Sequence, residues 1–208
     1  MPDILFAVGV VSRFMEDPPS THLKVTRRIL RYLKSMIAFG LFDSSSSDFN
    51  LVRFYDSDYG GDIDDRKSTT GFVFFLGDYV ISWGSKKQSI VTLSTYEAEY
   101  IAATSCTCHT IWLRRLLKEL NLPQIDATKI CVDNKSAQTL VKNPMYRDRS
   151  KHIDTWYHFI RECIAKKEVE LKFVKSHNQV ANIFTKLLKL KDFQRLRSNL
   201  GMKKKNQN

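Results

Sequence analysis

Leu51-Val52-Arg53-Phe54-Tyr55-Asp56-Ser57-Asp58-Tyr59-Gly60-Gly61-Asp62 (51–62) is the stretch that decides the fold. Residues 51–56 read as a strand, in which successive side chains point to opposite faces. Asp56 falls in phase with Val52 and Phe54, so it shares their expected buried face at the strand's carboxyl end. A carboxylate there is costly unless it is paired or bound to a metal. Spacing leaves a second reading open, in which Asp56 merely starts the turn over 57–61, a common place for aspartate. Asp58 and Asp62 are reserve candidates.

Three further motifs answer this one from distant parts of the chain: Ala98-Glu99-Tyr100, Val132-Asp133-Asn134 and Ala181-Asn182-Ile183. The first lies near the start of a long helix, the second ends a strand-like apolar run, and the third opens a helix. Glu97 and Glu99 flank the helix's apolar stripe on opposite sides, and helical arithmetic does not choose between them. Both also suit a solvated helix start, where the dipole favours acids. Asp133 suits an N-cap equally well, although strand ends are where open sheets place their sites. Carboxylates gathered in this way suit hard cations such as Mg²⁺ or Mn²⁺, and two such ions can clamp an in-line phosphoryl displacement. The fourth position carries Asn182 where the pattern wants a carboxylate.

Around these motifs the elements fall in order. A helix is expected over 3–16, broken by Pro18-Pro19, and a second runs from a Ser20 or Thr21 cap to about 32–35. The second carries Lys24, Arg27, Arg28, Arg31 and Lys34 along one flank. The serine-rich run 43–50 reads as a linker. Strands follow at 51–56, 71–76 and 79–83, the last two joined across Gly77-Asp78, a hairpin signal. A long helix covers 95–120, its stripe formed by Ala98, Ile101, Ala102, Ser105, His109, Trp112, Leu113, Leu116 and Leu120. Then come a strand at 128–132, helices at 134–142 and 153–166, a strand at 169–174 and a helix at 179–188. The pattern implies an α/β fold, a mixed sheet with helices on its faces. From residue 203 the chain is a basic, polar tail expected to fray.

The 208 residues carry 33 Lys and Arg against 22 Asp and Glu, a formal net charge of +11. That excess favours a polyanionic partner, nucleic acid first. The four cysteines (Cys106, Cys108, Cys131 and Cys163) form no CxxC pair, and reduced thiols in an intracellular compartment fit them better than a disulfide framework. The apolar stretch at 4–11 is too short to span a bilayer, so no membrane partner is expected. His177 lies on the loop Lys175–Gln179, where it can shuttle protons or sit idle at the surface.

Taken together, the motifs resemble the ribonuclease H domain of copia-type retrotransposon polyproteins. The residues that carry the resemblance are YDSDYGGD (55–62), RKSTTGFVFFLG (66–77), ISWGSKKQ (81–88), LSTYEAEYIAA (93–103), CVDNKSA (131–137), SKHID (150–154), QVANIFTK (179–186) and LGM (200–202). PDILFAVGVVSRF (2–14) and RILRYLK (28–34) resemble the final connecting segment of the element's reverse transcriptase. No polymerase motif is present, and Met1 directly precedes this segment, so the chain resembles a fragment that begins just upstream of the ribonuclease H domain. The resemblance implies a helical hairpin over 1–42, a linker over 43–50, a ribonuclease H-like domain over 51–202 and a tail over 203–208.

It also implies a five-stranded mixed sheet flanked by helices, its first three strands antiparallel, with an acidic quartet holding two Mg²⁺ or Mn²⁺ ions. Asp56, Glu99 and Asp133 match the first three acids, which selects Glu99 over Glu97. Asn182 stands where the family has aspartate, and His177 matches the loop histidine of many cellular ribonucleases H. The implied activity is cleavage of the RNA strand of an RNA–DNA hybrid, with the rest of the reverse transcriptase as a protein partner. Arg66, Lys67, Lys86, Lys87 and Asn134 are the expected nucleic-acid contacts, and Tyr59 and Trp83 can line the groove, although core packing suits Trp83 better. The alternative is a degenerate remnant that folds and binds nucleic acid but cleaves weakly or not at all.

Overall fold

A computed structural model describes residues 1–41, 49–134 and 154–205. Its centre is a five-stranded sheet ordered β4-β3-β2-β5-β6. The strands are β2 (Leu51–Ser57), β3 (Thr69–Leu76), β4 (Tyr79–Lys87), β5 (Thr128–Val132) and β6 (Val169–Phe173). β2, β3 and β4 are antiparallel neighbours. β5 runs parallel to β2, and β6 runs parallel to β5. This is the ribonuclease H-like sheet that the resemblance implies. Gly77 (φ +59°) lets the chain reverse in two residues between β3 and β4, a backbone conformation that side chains with a Cβ disfavour.

Each face of the sheet is covered by different parts of the chain. On one face, α3 (Thr95–Glu119) and α4 (Asp154–Ala165) pack over Tyr55, Ile130, Val132 and Val169. On the other, a 3-10 turn (Val180–Phe184) and α5 (Leu190–Asn199) pack over Val73, with Phe54, Phe75 and Trp83 beside them. Trp83 is therefore a packing residue. The N-terminal helices α1 (Leu5–Ser12) and α2 (Ser20–Ser35) lean on this second face through Leu5, Tyr32 and Met36. A small ladder ties them down: β1 (Phe39–Leu41) pairs antiparallel with β7 (Met202–Lys204). Arg197 reinforces it, donating to the Tyr32 hydroxyl at 3.2 Å and lying over the Phe39 ring.

Several expectations change. The helix expected over 179–188 is only the 3-10 turn, and the helical residues lie later, in α5. Phe193, Leu196 and Leu200 fall at helical spacing before Gly201 (φ +77°), a stop signal legible in the sequence. Lys203 and Lys204 are paired in β7 rather than frayed. Pro19, not Ser20 or Thr21, holds the N-cap position of α2, with no side-chain cap. The stripe of α3 is buried at Leu113, but Trp112, Leu116 and Leu120 are exposed, and Leu117 is buried instead. Leu113 and Leu117 pack against Leu51 and Phe74, so the last turns of α3 meet the sheet along a line that leaves Trp112, Leu116 and Leu120 on the outer side. The short helix expected over 134–142 lies outside the described residues.

β2 holds the largest departure. Its Arg53 is fully buried beside Tyr55, while Val52 and Phe54 are only half-buried. The guanidinium donates to the Cys106 carbonyl and to Thr110 Oγ1, and it lies 4.0 Å from the Phe74 ring centroid. Burial lowers its pKa to about 10, and no carboxylate among the described residues compensates it. A buried cation held only by neutral groups is costly. Arg53→Met, which keeps length and removes charge, is expected to stabilise the fold by about 1–3 kcal/mol. Arg53→Ala, which opens a cavity, is expected to be less stable than Arg53→Met by roughly 2–4 kcal/mol. Urea unfolding of the three forms measures both differences.

Candidate functional site

The carboxyl ends of β2 and β5 and the first turns of α3 converge at one edge of the sheet. One carboxylate oxygen from each of Asp56, Glu99 and Asp133 lies within 4.8 Å of the others. Asp56 and Glu99 are buried, and Asp133 is half-buried. Local chemistry sets α3 in place. Ser94 accepts from the Glu97 backbone N–H at 3.2 Å, and Glu97 reaches back to accept from Leu93 N at 2.7 Å. That reciprocal cap, a Ser-x-x-Glu signature visible in the sequence, makes Glu97 structural. Glu99 is thus the glutamate that faces the other two acids.

The turn beneath the site comes very close to the sheet. A Cβ at Gly71, which pairs with Asp56 across β2 and β3, would lie 2.7 Å from Phe184 Cβ and 3.0 Å from the Ala181 carbonyl. Only glycine lets the turn approach this far. The approach delivers Thr185, whose hydroxyl donates to Asp56 Oδ2, and Lys186, whose Nζ lies 3.2 Å from the same oxygen. Both residues lie in the QVANIFTK motif, but nothing in the spacing marked either as a partner of Asp56. Asn182 sits in the turn itself. Its Nδ2 donates to the Ser176 carbonyl at 3.1 Å, and its Oδ1 is buried without a partner among the described residues. Glu99 Oε2 is a second such orphan.

Clustering raises the cost of charge. Burial, then the neighbouring charges of Asp56 and Asp133, push Glu99 up to about 8. Burial also raises Asp56, against the opposing pull of Lys186 and Thr185. Orphaned buried oxygens and proton-hungry carboxylates form an all-oxygen donor set that fits a hard divalent cation. Asp56, Glu99 and Asp133 can hold it as anions, and Asn182 can add only a neutral carbonyl.

The other sequence candidates scatter. His177 is exposed on a 3-10 turn (Ser176–Asn178). Asn134 follows Asp133 and is half-buried. Arg66 and Lys86 are exposed. Lys87 is committed to ion pairs with Asp62 (2.7 Å) and Asp65 (2.8 Å), and Lys67 lies 3.4 Å from Asp65. Asp62, a reserve candidate, belongs to that cluster. Arg13 of the N-terminal segment also meets it at 2.9 Å. Burial raises the Asp62 pKa, but hydrogen bonds from Lys87 and from the Asp65 and Asp64 backbone outweigh it, so the carboxyl is held well below the usual range. Asp58 is taken up by the backbone N–H of Thr69. Tyr59 is exposed. The cysteines are unpaired, three buried and Cys108 exposed. Among the described residues, no helix is long and apolar enough to cross a membrane.

Known proteins resemble this chain along nearly all of its length. The chain is 43% identical over 205 residues to a retrovirus-related Pol polyprotein from transposon TNT 1-94 of Nicotiana tabacum, covering 97% of this chain and 15% of that polyprotein. It is 38% identical over 201 residues to the corresponding polyprotein from transposon RE1 of Arabidopsis thaliana, covering 97% of this chain and 14% of that one. The chain thus spans only about 15% of the length of these curated relatives. Among solved structures, the N-terminal ribonuclease H domain of a Mycobacterium tuberculosis protein superposes with a TM-score of 0.49 at 10% identity, over 72% of this chain and 97% of that one. No protein-family model matches the chain.

The raised carboxylate pKa gives a pH dependence whose sign is fixed. Unfolded, Glu99 titrates near its ordinary value of 4.5; folded, it titrates near 8. Between these values the native state holds a proton that the unfolded chain releases, so stability falls as pH rises through this window. Melting temperature in chelator is expected to drop from pH 5 to pH 8, and added Mn²⁺ should reverse the drop. Glu99→Gln should flatten the chelator profile over the same range. A profile equally steep in that variant would assign the titration to another group.

Proposed function

We propose, for a chain that belongs to the retrovirus-related Pol polyproteins of copia-type transposons, that its ribonuclease H-like domain is a metal-dependent endonuclease that cuts the RNA strand of RNA–DNA hybrids. The observation that carries this reading is the meeting of Asp56, Glu99 and Asp133, from three separate elements, within 4.8 Å. Those acids, with the Asn182 carbonyl, would hold two Mg²⁺ or Mn²⁺ ions. Bound there, the ions would activate water and stabilise the leaving oxygen. Asp56, which also meets the turn through Thr185 and Lys186, would be the shared ligand, and Glu99 and Asp133 would each complete one ion's shell. Lys186 must release Asp56 as an ion enters. His177, exposed on its 3-10 turn, would serve as the proton carrier.

The hybrid is recognised by shape and 2′-hydroxyls, since A-like grooves hide the base edges. Arg66 and Lys86, both exposed, are the first phosphate contacts, with Asn134 following Asp133. Lys67 and Lys87 act mainly by shaping the Asp62–Asp65 loop. Residues 1–42 form the end of the reverse transcriptase, joined through 43–50 to the nuclease over 51–202, with a tail over 203–208. The rest of the reverse transcriptase is the natural protein partner.

Two observations favour the remnant reading, a domain that binds hybrid without cutting it. Asn182 removes one negative charge from the quartet, and Lys186 places a positive charge on Asp56. A labelled hybrid separates the readings. Cleavage of its RNA strand is expected in Mg²⁺ or Mn²⁺, with single-stranded RNA and duplex DNA left intact, and Asp56→Asn should abolish it. Asn182→Asp should lower the Mg²⁺ concentration needed for half-maximal rate, because a carboxylate restores charge beside a dication. Binding without product in either metal supports the remnant.

The basic residues can be sorted by salt. Hybrid affinity should fall steeply with ionic strength, as phosphate contacts release counterions. Lys86→Ala should reduce the slope by about one unit. Lys87→Ala should change it less, because Asp62 and Asp65 already neutralise that charge. Filter binding at four or five salt concentrations reads both slopes.

A further inference from the structure

β2 and β5 are paired only as far as Phe54 and Cys131, yet both strands run on toward the site. No β2–β5 pair follows that last one, so the Tyr55 carbonyl has no ladder donor on β5, and the Cys131 carbonyl lies at the final rung. The side chain of Gln179 fills this gap. It is fully buried. Its Nε2 donates to the Tyr55 carbonyl at 2.9 Å and to the Cys131 carbonyl at 3.3 Å, while its Oε1 accepts from Ala181 N at 3.3 Å. One amide therefore touches the residue before Asp56, the residue two before Asp133, and the residue before Asn182.

A second buried amide does the same work on the opposite side. Gln88 donates through Nε2 to Ser57 Oγ (3.2 Å), Thr70 Oγ1 (3.0 Å) and the Ala98 carbonyl (2.9 Å). Ser57 follows Asp56, Thr70 lies across from Ser57 on β3, and Ala98 precedes Glu99. Neither glutamine shares a partner with the other. Together they fasten every element that supplies a site residue to the end of β2.

We propose that Gln179 and Gln88 are positioning residues that fix the separation of the site's oxygens, and so set its affinity for divalent ions. This rests on the metal-site reading above. The physical reason is that β2 and β5 must splay to make room for ions, and splayed strands have no ladder to hold their spacing. An amide offers a donor of fixed reach at the point of divergence. An apolar side chain of equal volume fills the space without spanning it. The carboxylates repel one another, so an unfastened site opens, and an opened site grips a small cation poorly. Groups that orient metal ligands from behind typically cost 10- to 100-fold in affinity when lost.

The test uses the whole chain and Mn²⁺ alone, with bound ion read by electron paramagnetic resonance. Wild type and Asp56→Asn come first: Mn²⁺ binding that survives Asp56→Asn defeats the metal-site reading itself, a result distinct from failure of the present proposal. Gln179→Met is expected to weaken Mn²⁺ binding about tenfold or more at a temperature where circular dichroism shows it folded. Ile160→Val, a buried change in the core under α3 and α4, controls for lost stability and is expected to bind Mn²⁺ as wild type does. Where hybrid cleavage is measurable, kcat should fall in Gln179→Met while KM for hybrid holds. Wild-type Mn²⁺ affinity in folded Gln179→Met overturns the proposal. Should that variant not fold, Gln88→Met carries the same expectation, and wild-type affinity there overturns it equally.

Discussion

Three carboxyl groups with oxygens within 4.8 Å of one another cannot all be charged in a half-dry crevice without a cation among them. That constraint organises the end of the sheet. In the metal-free chain it is met in three ways at once. Glu99 keeps its proton, Lys186 leans on Asp56, and the Thr185 hydroxyl donates to the same carboxylate. Each is a neutral or cationic answer to the same excess of negative potential, and each can be withdrawn when a dication supplies a better one.

Holding like charges together requires a stiff frame. Gly71 provides contact distance, since any larger residue would push the turn away from β3. The Ser94–Glu97 cap provides orientation, because it fixes the angle at which α3 presents Glu99. The buried glutamines provide spacing where the strands part. Asn182 adds a different kind of accommodation. Neutral itself, it adds no charge to the turn and keeps a buried carbonyl oxygen without a partner among the described residues.

The N-terminal helices bear on the site as well. They close the second face of the sheet through Leu5, Tyr32 and Met36, and β1 zips onto β7. Arg13 reaches Asp62 beside Lys87, so the loop after β2 is braced from the hairpin side. The linker reading of 43–50 separates the hairpin from the five-stranded sheet along the chain. The packing joins them in space, because Leu5, Tyr32 and Met36 join the apolar cluster of 180–184 and α5.

Local rules were enough for what the chain does over a few residues. Alternation placed β2, Gly77-Asp78 turned the hairpin, and helical spacing drew α3, while the resemblance to copia-type ribonuclease H domains, not spacing, singled out Asp56, Glu99 and Asp133. Sequence periodicity reports which residues share a face; it does not say what covers that face. That is why Trp112, Leu116 and Leu120 read as part of the apolar stripe but lie in solvent while Leu117 packs with Leu51 and Phe74, and why Val52 and Phe54 read as the buried face of β2 but are only half-buried while Arg53 is sealed under α3. Pairings across long stretches were equally out of reach. Lys186 meets Asp56, β7 meets β1, and Gln179 spans Tyr55 and Cys131 only after the chain has closed on itself. The sequence by itself determined the kind of sheet and, through its family resemblance, pointed to three acids; the tertiary structure alone decided the raised pKa of Glu99 and Asp56, the Lys186 counter-ion and the spacing of the acids, because those depend on burial and on distances between segments far apart in the chain.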